Sequence, residues 1–100
     1  MFKTIHPKKQ KMEFALQVNV FKEGKYYIAY SPALELSTQA TDYSKVLERF
    51  NEIVEIFFEE TSKEGNTQKA LLQLGWSNKK GKLISPTPIA TIVQNIQVTI

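Results

Sequence analysis

Any chemistry in this chain would have to come from very few side chains. The one histidine, His6, sits beside Pro7 in a lysine-rich opening stretch, and there is neither a second histidine nor any cysteine. A zinc site built from the usual nitrogen and sulfur ligands is therefore excluded, as are a thiolate nucleophile and a disulfide. Glu48, Glu52, Glu55 and Glu59 could bind Mg²⁺ in principle, but their spacing strings them along the solvent side of a helix, as solubilising charges. Ser31 and Ser37 have no neighbouring base to activate a hydroxyl. Gly24, Gly65, Gly75 and Gly81 are scattered singly and form no phosphate-cradling loop. The expectation is a protein with no catalytic residue, metal or cofactor, which works by presenting a surface.

Composition bounds the kind of surface. With 100 residues, 42% of them apolar and 23% charged, the chain has the size and balance of one soluble domain. No apolar run approaches the roughly 20 residues that span a bilayer, and MFKTIHPKKQKMEF lacks the apolar core of a secretory signal. No membrane partner and a cytoplasmic location are expected. The net charge of +3 is unevenly spread. Lys8, Lys9 and Lys11 load the start and Lys79, Lys80 and Lys82 cluster near the end, while glutamates dominate the middle. The six lysines are candidate nucleic-acid contacts, although solvated turns and tails are usually this basic.

The elements follow from periodicity. Residues 1–11 show no apolar pattern and read as a basic extension, with the ordered domain over 12–100. From Glu13 to Lys22 apolar residues alternate, which predicts a half-buried strand. Glu23-Gly24 is expected to turn the chain into a second strand, Lys25–Ser31, with Lys22 opposite Lys25 and Val20 opposite Tyr27. Phe14, Leu16, Val18, Val20, Tyr27 and Ala29 then share a core face, and Gln17, Asn19, Phe21, Tyr26, Ile28 and Tyr30 share the other. After Ser31-Pro32-Ala33, a third strand is expected at Leu34–Gln39.

Asp42 is placed to cap a long helix. Its stripe is Tyr43, Val46, Leu47, Phe50, Ile53, Val54 and Phe57, and it should run to about Lys63, where Gly65-Asn66 stops it. A shorter helix capped by Thr67 follows, ending at Gly75, with Trp76 plugging the core edge. Lys79-Lys80-Gly81-Lys82 reads as a turn and Pro86-Thr87-Pro88 as an extended connector. Ala90–Ile100 alternates again and is expected to be a final strand beside the first, in the order third, second, first, last.

This arrangement resembles the HicB antitoxin family. Tyr27–Leu34 is similar to that family's Y-x-A-x-x-P-x-L strand end, and Ser37-Thr38-Gln39-Ala40 to its S-x-G-D-T lead into the helix, with Ala40 and Asp42 in place of the usual Gly and Thr. Leu72–Trp76 resembles the L-x-x-L-G-W segment of some short members, and Pro86-Thr87-Pro88 their proline-rich lead into a last strand. The resemblance implies an α+β fold like a truncated ribonuclease H, in a short form without the C-terminal DNA-binding module of many members. It further implies an antitoxin, or an antitoxin-derived binding module, that covers a small HicA-like RNA-cleaving toxin. Nuclease activity is opposed by the residues. The middle of the first strand, Leu16-Gln17-Val18-Asn19, and of the last, Gln94-Asn95-Ile96, supply no acid, and Glu35 alone cannot hold two metals.

One expectation rests less on resemblance. Nothing in so short a chain covers Phe21, Tyr26, Ile28 and Tyr30, and Ile96 and Val98 lie on a strand that needs a neighbour. These six residues are the expected protein interface, and a homodimer or dimer of dimers the expected state. The alternatives are a stand-alone oligomer without a toxin, and a weak nucleic-acid binder through its lysines.

Overall fold

The computed structural model describes residues 13–100, and the basic extension with Lys8, Lys9 and Lys11 lies outside them. The fold is α+β. Strands β1 (Asn19–Glu23), β2 (Tyr26–Ser31) and β3 (Leu36–Ala40) form an antiparallel sheet in the order β1-β2-β3. Helix α1 (Tyr43–Lys63) lies on one face, and α2 (Thr67–Gln73) follows it. A separate hairpin of β4 (Ser77–Lys79) and β5 (Lys82–Ile84) comes next, and residues 85–100 are in no strand or helix.

The first hairpin turns one residue later than expected. Gly24-Lys25 occupies the turn, and the pairs are Glu23↔Tyr26, Lys22↔Tyr27 and Val20↔Ala29. Gly24 at φ 58° takes the first central position, where the turn that matches strand twist needs a left-handed residue. Moving the turn by one residue moves every pairing by two, so each side chain keeps its face. The core face is therefore the expected one: Leu16, Val18, Val20 and Tyr27 pack around buried Ala29.

Strand β3 begins two residues later than expected and extends to Ala40. Ala33 and Leu34 are instead buried in the preceding turn, and Glu35 at φ 53° swings the chain back into the sheet.

Helix α1 has the expected limits because both ends are chemically specified. Asp42 accepts from the Ser44 and Lys45 amides at 2.9 and 3.3 Å, filling two of the first turn's open donors. The last turn closes with Asn66 N–H on the Thr61 carbonyl at 2.8 Å and Gly65 N–H on that of Ser62 at 3.0 Å. Val46 and Phe50 are buried against Ala29 and Ala40, which sets the helix over β2 and β3.

Helix α2 ends in the same way, with Trp76 N–H on the Leu71 carbonyl and Gly75 N–H on that of Leu72. Asn66, rather than Thr67, is its capping residue. Leu71 and Trp76, the two residues this motif brings together, centre a second cluster with Ala33 and Leu34. Phe14 joins it, its ring 5.7 Å from Trp76 and 5.1 Å from Phe58. Leu16, Leu36 and Val54 touch both clusters and make them one core.

The final strand is the correction. Ala90–Ile100 forms no strand and is not paired with the first. The expected lysine turn is the tip of its own hairpin, with Lys80 and Gly81 both at positive φ. Pro86 and Pro88, with no N–H to give, keep residues 86–88 out of a ladder, and the stretch after them pairs with no strand among the described residues. Every residue from Ile89 onward is exposed. The Cα radius of gyration is 17.7 Å, against about 13 Å for a compact chain of this length.

Candidate interaction surface

The sheet face turned away from α1 carries the residues singled out by alternation. The register sets Phe21 beside Ile28, Asn19 beside Tyr30 and Glu23 beside Tyr26. Gln39 and Ser37 of β3 continue the rows from Ile28 and Tyr30. Phe21 is 53% exposed and Tyr26 37% exposed, while Ile28 and Tyr30 are half-buried. The result is an aromatic band bordered by amides and hydroxyls. Lys25 sets its ammonium 5.3 Å from the Tyr26 ring centre, placing a cation at the band's edge.

These four residues are brought together, and Ile96 and Val98 are not among them. Both belong to the C-terminal arm, each about three-quarters exposed. The base of the arm does reach the sheet. Pro86, Thr87, Pro88 and Thr91 share a shallow cleft of about 390 Å³ with Gln17, Asn19, Pro32 and Ala33. Lys79, Lys80 and Lys82 are all exposed on the second hairpin.

Comparison with protein-family models, curated proteins and solved structures finds no match for this chain. The surface has to be read from its own chemistry.

The other candidates are placed as follows. Ser31 is fully buried on the core face, its hydroxyl without a hydrogen-bond partner, and Ser37 is exposed. Among the described residues no three His, Cys, Asp or Glu side chains are grouped to hold a metal ion. No described helix is long and apolar enough to cross a membrane. Asp42 has its carboxyl held below the usual carboxylate range, first by the Ser44 hydroxyl and then by the Lys45 and Ser44 amides. That is a helix cap's chemistry. The lysine turn is where it was expected, but the two short strands it joins, Ser77–Lys79 and Lys82–Ile84, have no counterpart in the sequence reading.

Proposed function

We propose that this chain is a HicB-like, non-catalytic binding module that neutralises a small RNA-cleaving toxin of the HicA type by covering it, in the cytoplasm. The observation that carries the reading is the aromatic band of Phe21, Tyr26, Ile28 and Tyr30 on the sheet face away from α1, with Phe21 and Tyr26 exposed. Large rings with polar tips are the residues that dominate protein interfaces, because they bury much area at little entropic cost. The β-β-β-α order around Tyr27–Leu34 and the Asp42-capped helix supports the family resemblance.

The test is co-expression with a small basic protein encoded in a neighbouring reading frame. Growth arrest by that protein alone, rescue by this chain, and loss of rescue in Phe21→Glu/Tyr30→Glu are the expected results. A double variant that folds and still rescues would remove the band from the interface. Absence of any toxic neighbour would favour the stand-alone oligomer instead.

A further inference from the structure

The C-terminal arm has the pattern of a half-buried strand and no sheet beneath it. Ile92, Ile96, Val98 and Ile100 fall on one parity, interrupted by Gln94, and Thr91, Asn95, Gln97 and Thr99 on the other, interrupted by Val93. All four apolar residues of the first parity are at least 70% exposed. No residue from Leu83 onward has a charged side chain, so no charge holds the arm's apolar row in water.

A complementary edge exists on the same molecule. Glu13–Val18 precede β1, and Phe14, Leu16 and Val18 pack on the core, yet these residues are in no strand. The hairpin register carried onward would set Gln17 opposite Pro32, which has no N–H, so the ladder stops at β1. The stretch from Phe14 to Phe21 has no charge, proline or glycine, the devices that commonly blunt an edge. The opposite edge is different. There β3 packs against α1, and its Gln39 carbonyl already accepts from Arg49 at 2.8 Å.

We infer that residues 90–100 add as a strand to the Glu13–Glu23 edge of a second copy of this chain, each copy giving its arm to the other. The arm springs from the cleft beside Gln17 and Asn19, so donor and acceptor lie together and two copies related by a two-fold axis can exchange arms reciprocally. Pro86 and Pro88 keep the departing chain extended, which carries it off its own edge rather than back along it. Residues 90–100 and the Phe14–Phe21 part of the edge carry no charged side chain, which suits strand addition between copies and offers nothing to a polyanion. This inference stands whether or not the chain neutralises a toxin.

Sedimentation velocity of the full chain at high micromolar concentration is the experiment. A dimer is expected, with Ile96→Lys/Val98→Lys weakening dimerisation by roughly a hundredfold or more, because two ammonium groups would be carried into the new sheet. Both sites are exposed in the single chain, so helical circular dichroism should be unchanged. Gln17→Pro, at an exposed position outside the ladder, should separate the copies from the acceptor side. A monomeric wild type would overturn the inference, including one whose arm amides resist hydrogen exchange, since that would place the arm on its own edge. So would a dimer indifferent to Ile96→Lys/Val98→Lys.

Discussion

The indole Nε1 of Trp76 donates a 2.8 Å hydrogen bond to the carbonyl of Ala33, joining residues 43 positions apart inside the core. Ala33 is buried in the turn that follows β2, and this bond satisfies its carbonyl there. Trp76→Phe keeps most of the packing and removes the donor, so it should cost about 1–3 kcal/mol. Trp76→Ala also leaves a cavity and should cost about 3–5 kcal/mol. Urea unfolding of the two variants measures both, and a Trp76→Phe variant as stable as wild type would show that the bond contributes nothing of its own.

Asp42 links helix stability to pH. Its folded pKa is lowered by the Ser44 hydroxyl and the two first-turn amides, so its contribution is complete above the ordinary carboxylate pKa. That contribution disappears as pH falls through the depressed folded value. Asp42→Ala should therefore lower the denaturation midpoint at neutral pH, and the gap from wild type should close in strong acid. Asp42→Asn should retain more of the wild-type midpoint, because an amide oxygen also caps. A gap of constant size down to strong acid would contradict the assignment.

Gly75 ends α2 at φ 92°, and a Cβ there would meet nothing within 4 Å. The cost of Gly75→Ala is thus one of backbone conformation alone, about 1–2 kcal/mol. Gly75→Asn should cost less, since Asn tolerates this region better. Thermal unfolding checks the order of the three sequences, and an Ala variant as stable as wild type would sink the argument.

Ser31 tests whether a buried hydroxyl is needed. Its oxygen is fully enclosed with no hydrogen-bond partner, so the chain already bears its desolvation. Ser31→Ala should be neutral or stabilising by about 1 kcal/mol, with binding to any partner unchanged. Marked destabilisation would point to an internal water held at that oxygen.

Much of this fold was legible because local chemistry and burial agreed. Asp42, the Val46–Phe50–Phe57 stripe and Gly65 each mark α1, and together they place its start after Asp42 and its end near Lys63, where it is found. The sheet faces were legible even though the turn was misplaced, since a two-residue slip preserves parity. The aromatic band followed from that parity. The end of the chain was not legible in the same way. Alternation in Ala90–Ile100 says that one side wants cover, but not which molecule supplies the cover. The strands of the second hairpin, Ser77–Lys79 and Lys82–Ile84, were missed because they are too short to show a period.

The uncharged stretch after Lys82 also bears on how this protein behaves in concentrated solution. A strand given reciprocally between two molecules consumes both donors and both acceptors, and growth stops. Passed in one direction from each molecule to the next, the same strand leaves an unused donor at one end and an unused acceptor at the other. With no like charges along the arm to oppose stacking, that second mode builds filaments rather than particles. One lysine on the arm's polar parity, as in Gln97→Lys, would penalise neighbouring arms for lining up in register while leaving Ile96 and Val98 intact. The difference between a soluble assembly and a gel would then rest on a single position that contributes nothing to the apolar row.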